Sequence, residues 1–149
     1  MVEVTLSISK SGIIQVVESL AWKYAVAKDN GNNVKQTNNT KADGAGRAVD
    51  NTILSDSFSK RFNDVVDLVR DFLYSVTGTD PKVITIAVSG RWGGDQNALT
   101  DAVKDYITNG MMADWLNATA NGDAQAYASL REGNRSAITN MVYSLKKPQ

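Results

Sequence analysis

The sequence predicts an α+β domain that is predominantly helical: a bundle of about four helices carrying a small two-stranded β element. Two short runs, Val2–Ile8 and Val83–Ser89, alternate apolar and polar residues with the period of a half-buried strand. Four longer stretches repeat apolar residues every three to four positions, as amphipathic helices do. The chain has 149 residues, enough for one ordinary domain with a real core, and residues 1–149 read as a single helical-bundle domain.

In chain order, Val2, Val4, Leu6 and Ile8 form the apolar side of the first strand. Ser9 or Ser11 supplies a cap. Ile13, Ile14, Val17, Leu20, Ala21 and Tyr24 then set a helix over roughly residues 11–28. Residues 29–47 are rich in Asn, Thr, Gly and Lys, with Val34 the one large apolar side chain. Such a stretch buries too little to order itself, so it reads as a polar flexible insertion loop, or a segment that orders on a partner.

A second helix is expected over roughly 51–77, because Phe58, Phe62, Val65, Val66, Val69, Phe72, Leu73 and Val76 make a continuous stripe. Gly78 stands where a left-handed helix cap belongs. Asp64, Asp67 and Asp71 share the opposite face, and three helical aspartates read as a solvated surface rather than a metal cage. The second strand follows. Leu99, Ala102, Val103, Tyr106 and Ile107 begin a third helix, with a shift of phase and an expected kink at Gly110. Asp123 is placed to cap a fourth helix, which Gly133 and Asn134 weaken at its middle. The tail after Leu145 reads as frayed.

Composition excludes much chemistry. The chain has no histidine and no cysteine, so the commonest general base and transition-metal ligand are absent, as are disulfides and thiolate sites. Sixteen basic residues balance sixteen acidic ones, which gives no support to nucleic-acid binding. The N-terminus lacks the apolar core of a signal peptide, and no stretch suits a membrane span, so a cytoplasmic protein is expected. The expectation is a non-enzyme with no catalytic, cofactor-binding or metal-binding residues.

The stretch VITIAVSGRWGGDQN, residues 83–97, joins a strand to a helix through glycines. It has neither the Walker spacing nor the dinucleotide fingerprint. Asp95 is positioned to cap the helix with its own carboxylate, where a phosphate would otherwise sit. The glycines therefore read as a tight reversal, some at positive φ. Trp92 has two main readings: a lid folded onto the end of the bundle, or an anchor that projects with Arg91 toward a partner. A sugar-stacking platform is a third, without further support.

Taken in order, VEVTLSISKSGIIQVVESLAWKYA, the helix SFSKRFNDVVDLVRDFLYSV, the strand and turn VITIAVSGRW, and the pieces ADWLNAT and AYASL resemble small virion proteins of tailed phages and prophages of gut Bacteroidetes, crAss-like phages included. The resemblance spans most of the chain apart from residues 29–49. It implies a structural subunit of the virion, a head–tail connector component that assembles as a ring with itself and with neighbouring virion proteins such as the portal. It implies residence in the virion, and in the host cytoplasm during assembly. The strand edges at Val4, Leu6, Ile84 and Ile86, together with Arg91, Trp92 and the 29–47 loop, are the expected subunit contacts. No membrane and no sequence-specific nucleic acid enters this reading. The alternative is a small binding module for a peptide, glycan or nucleic acid.

Overall fold

The computed structural model describes residues 1–28, 44–118 and 122–144. In these, β1 (Val2–Ile8) leads into α1 (Lys10–Lys28), and α2 (Gly44–Leu68) is followed by a 3-10 turn (Arg70–Phe72). Then come β2 (Leu73–Thr77), β3 (Lys82–Val88), α3 (Gln96–Ala118) and α4 (Ala124–Val142). The result is mostly helical: four helices against a three-stranded antiparallel sheet of order β1-β3-β2. None of these helices is long and apolar enough to cross a membrane.

Alternation decides which way the sheet faces. Val4 pairs with Ile86, Leu6 with Ile84 and Val2 with Val88 across β1 and β3. Val4, Leu6, Ile8, Ile84, Ile86 and Val88 are all buried beneath the helices. Glu3, Thr5 and Ser7 point the other way and are exposed. Each fully buried aliphatic side chain contributes roughly 1.5–3 kcal/mol of transfer free energy. A one-residue slip would turn the whole buried set to water, so the register is strongly specified.

The helices lie on that one face. α3 is the central helix, touching α1, α2, α4 and β1. This explains its altered phase after Ile107. Gly110, Met111, Met112 and Ala113 are all buried, because this half of the helix is enclosed by its neighbours on most sides and no longer needs a single stripe. The kink expected at Gly110 does not occur, and α3 is continuous from Gln96 to Ala118. α4 is likewise unbroken through Gly133 and Asn134, where Asn109 Nδ2 donates to Asn134 Oδ1 at 2.7 Å. Asp123 stands at the N-cap position of α4, but its carboxylate makes no capping bond.

The stretch after Leu68 departs most from expectation. Residues 73–77 are not helix but a third strand, so the β element has three strands rather than two. Phe72 and Leu73 still meet the core, which is why their spacing mimics a helical stripe. Leu-Tyr-Ser-Val-Thr is made of aromatic, branched and β-tolerant residues, and it pairs with β3 as a hairpin. Gly78 is indeed left-handed, with φ 80°, but in the β2–β3 turn rather than at a helix end. A Cβ there would stand 2.5 Å from the Pro81 carbonyl oxygen, so both conformation and space call for glycine. β3, expected as an edge, is instead the central strand, paired on both sides. Of the polar insertion, residues 29–43 lie outside the described residues, and 44–47 belong to α2.

The same turn secures α1. Ser9 Oγ accepts from the Gly12 amide at 3.1 Å, the expected local cap. Asp80, far away in sequence, accepts from the Lys10 and Ser11 amides at 3.0 and 3.1 Å. Hydrogen bonding from the Ser11 hydroxyl, helped by these two amides, holds the Asp80 carboxyl below the ordinary aspartate range. A depressed carboxylate stabilises the fold above the unfolded pKa of about 4, and that contribution is lost as the pH falls through the lower folded value. Asp80→Asn is therefore expected to lower the melting temperature at pH 7. The gap from the native chain should close as the pH is taken from 5 to 2, read by thermal melts across that range. A gap independent of pH would contradict the charged cap.

Candidate functional site

Three places in the fold bring chemistry-bearing residues together. The first is the α2–α3 junction. Arg61, on the buried side of α2, reaches across α3 and forks onto Asp114: Nε to Oδ2 at 2.9 Å and Nη2 to Oδ1 at 2.5 Å. Ser57 Oγ donates to the same Oδ2 at 2.7 Å. Arg61 Nη1 turns to Asp64 at 3.0 Å, and the Tyr106 hydroxyl donates to that carboxylate at 3.2 Å. Hydrogen bonding to Asp114 raises the Arg61 pKa further, against the opposing effect of burial. Burial, then the nearby Asp64 charge, raises that of Tyr106.

The guanidinium can lie there because of Gly110. A Cβ at that position would stand 2.6 Å from Arg61 Cδ and 2.9 Å from Cγ. Those atoms belong to the middle of a side chain pinned at its tip, so they have little room to yield. Outside this lock, Arg61, Asp64, Tyr106, Arg131, Glu132 and Arg135 help line a polar cleft of about 390 Å³. The carboxylates of Asp64 and Asp67 are held by Arg61 and Arg70. Among the described residues, no three acidic side chains gather as a cation site, the Asp64, Asp67 and Asp71 face included. Arg131 Nε is buried without a hydrogen-bond partner, with Glu132 Oε2 at 3.7 Å.

The second place is the glycine reversal. Asp95 behaves as expected: its carboxylate accepts from the Asn97 and Ala98 amides at 3.3 and 3.4 Å. Those donors are thereby taken from any incoming anion. Gly90 and Gly94 do not have positive φ. Gly94 is needed for a different reason, because the Trp92 indole lies where its Cβ would be. Trp92 takes the lid position. It packs on the core and donates Nε1–H to the Met141 carbonyl at 2.8 Å, while the Gly93 amide donates to the Ser144 carbonyl at 3.1 Å. The turn is thus tied to the C-terminal end of α4. Phe72, Val88, Val142 and Tyr143 close an apolar cleft of about 220 Å³ around it. Arg91 is exposed on the outside of the turn.

The third place is the pair of sheet edges. Val4, Leu6, Ile84 and Ile86, expected at subunit contacts, have their side chains buried in this chain's own core. What the sheet leaves outward is different. Among the described residues no strand pairs with the outer side of β1 or of β2. Val2 is 47% exposed, Tyr74 68% and Val76 39%, so both edges carry exposed apolar side chains. Glu3 is the one charge in the two strands, and neither contains lysine or proline, the residues with which natural edges discourage pairing. Tyr74 and Val76 lay within the expected second helix, and the β-rich composition of residues 73–77 was the signal for them.

Comparison of the chain with protein-family models, curated proteins and solved structures finds no match.

Two outcomes are expected here. Gly110→Ala should destabilise the native chain, although alanine in a helix interior is normally worth about 1 kcal/mol over glycine. In an Arg61→Ala background the same change should become neutral or stabilising; urea melts of the four proteins measure the coupling. Trp92→Phe keeps an aromatic lid but removes the bond to Met141, and should cost about 1–2 kcal/mol in the same melts.

Proposed function

We propose that this chain is a non-enzymatic structural subunit that assembles with copies of itself, in the ring of a phage head–tail connector as its resemblance implies. The observation that carries the reading is the unguarded sheet. Among the described residues nothing pairs with the outer side of the two edge strands; they carry exposed apolar side chains, and only Glu3 among their residues is charged. An edge of this kind is a template for strand addition, in which main-chain hydrogen bonds supply the affinity.

The balance of charge is compatible with close apposition of copies, since sixteen cations and sixteen anions leave no net repulsion. Neighbouring virion proteins such as the portal are the further partners in this reading, and the virion its location. Arg91, exposed beside the Trp92 lid, stands on the surface available to them.

Sedimentation or native mass measurement at rising concentration tests this reading. The native chain is expected to form assemblies at high concentration, and Tyr74→Lys with Val76→Lys should shift them toward monomer with little change in melting temperature. A strict monomer that also ignores candidate virion proteins would overturn it. Saturable binding of a peptide or glycan by that monomer would favour the binding-module alternative.

A further inference from the structure

The order and direction of the three strands constrain how two copies can join. β1 runs antiparallel to β3, and β2 also runs antiparallel to β3. The two edge strands therefore point the same way. If a second copy is added beside β2 in the same orientation, its β1 lies parallel to that β2. A two-fold dimer would instead pair β1 with β1, or β2 with β2, in antiparallel fashion.

We infer that copies of this chain join head to tail, with β2 of one copy running parallel to β1 of the next and with the rows of the two sheets in line. This rests on the self-assembling reading above and specifies its junction.

Three observations lead to it. The first is coverage. Exposed apolar side chains lie on both edges, Val2 on β1 and Tyr74 and Val76 on β2. A two-fold junction uses one kind of edge and leaves the other bare in both copies, whereas a head-to-tail junction uses both edges of every copy. The second is register. Leu73 and Val4 both pair with Ile86, and Val76 and Leu6 both pair with Ile84. Rows in line thus place Leu73 beside the next copy's Val4 and Val76 beside its Leu6. The buried apolar face continues across the junction, and the half-covered Val76 gains a neighbour. The third is the irregularity in β2 between Leu73 and Ser75. Self-pairing of β2 would put two such bulges into one short ladder of five-residue strands, each disrupting it. Head to tail, a single bulge meets the regular seven-residue β1. The lone charge, Glu3, then faces no like charge on β2.

A heterologous junction of this kind either closes into a ring or runs on as a filament, and it has no built-in stop at two copies.

Because the chain contains no cysteine, introduced thiols report the junction directly. Thr5 and Ser75 both pair with Thr85, and Ser7 and Thr77 both pair with Val83, all on the outer face. Within one copy, β3 separates each pair by two strand spacings, about 9.6 Å, too far for a disulfide. Across the proposed junction they are adjacent, at about 4.8 Å. Thr5→Cys chains and Ser75→Cys chains are co-expressed, oxidised at assembling concentration and run without reductant. Cross-linked dimer is expected in the mixture and not in either variant alone, and the Thr5→Cys/Ser75→Cys double variant should give a ladder. Ser7→Cys with Thr77→Cys repeats the test one row along, in case one pair disturbs folding, which thermal melts reveal. Cross-linking of Thr5→Cys with itself would show a two-fold junction and overturn the inference. Assembly of the native chain without cross-links in either mixture would also overturn it, while leaving the structural-subunit reading in place. A native chain that never assembles removes both.

Discussion

The Arg61–Asp114 fork is the constraint on which the helical layer depends. It joins the middle of α2 to the far half of α3, and α3 touches every other helix. A charged pair this enclosed is not a simple gain, because two ions must first leave water. Here the loss is limited in two ways. Asp114 keeps 28% of its side-chain surface in solvent. Ser57 donates to Asp114, Asp64 accepts from the remaining Arg61 nitrogen, and Tyr106 in turn donates to Asp64. What the pair chiefly supplies is position. With the fork closed and Gly110 beneath the Arg61 stem, α2 has one depth and one rotation on α3. Since α2 passes through a short 3-10 turn straight into β2, the same lock also decides where that edge of the sheet stands.

The other layer is simpler, and less complete. A sheet of three strands with helices on one face has an inside that sequence alternation specifies fully, and an outside on which Glu3, Thr5 and Ser7 stand exposed beside the half-buried Ala87, Thr85 and Val83. Natural edge strands usually carry a device against accretion, and β1 and β2 carry very little of one. The bulge at Leu73–Ser75 is the exception, and it makes the two edges unlike each other. Unlike edges are what distinguish a chain that can add copies in one direction from one that can only pair.

Much of this was legible in the sequence, for identifiable reasons. β1 and β3 were visible because each alternates cleanly over seven residues with one side buried. The Asp95 cap and the first, third and fourth helices were visible because caps and periodic stripes are local signals. β2 escapes the periodicity because Val69, Phe72 and Leu73 reach the core with helical spacing by another route, through a 3-10 turn and then a strand, and the exposed Val76 continues the spacing. The composition of residues 73–77 and the Gly78–Pro81 turn are the local signals of the hairpin. At Gly110 the sequence shows an irregularity that reads as a bend, where the structure has a continuous helix. Its true cause, the Arg61 stem, lies 49 residues earlier in the chain, and no local pattern encodes a crossing between two helices. Trp92 was the reverse case, an isolated residue whose two placements only tertiary structure separates.

The order β1-β3-β2 also bears on how the molecule comes to exist. Among the described strands β1 pairs solely with β3, although α1, α2 and β2 lie between them in the chain: Val2 with Val88 and Ile8 with Lys82. As the polypeptide emerges from a ribosome, VEVTLSI must wait for the whole of α2 and the β2–β3 hairpin before its strand partner exists, and α1 must wait longer still for α3, its main neighbour. The hairpin is local and closes early, whereas β1 must cross a long loop to join it. Until then β1 is an unpaired strand with a single charge, open to pairing with another copy. The edge strand proposed to join finished copies thus makes the interval before folding its most exposed moment, and slower synthesis would lengthen that interval.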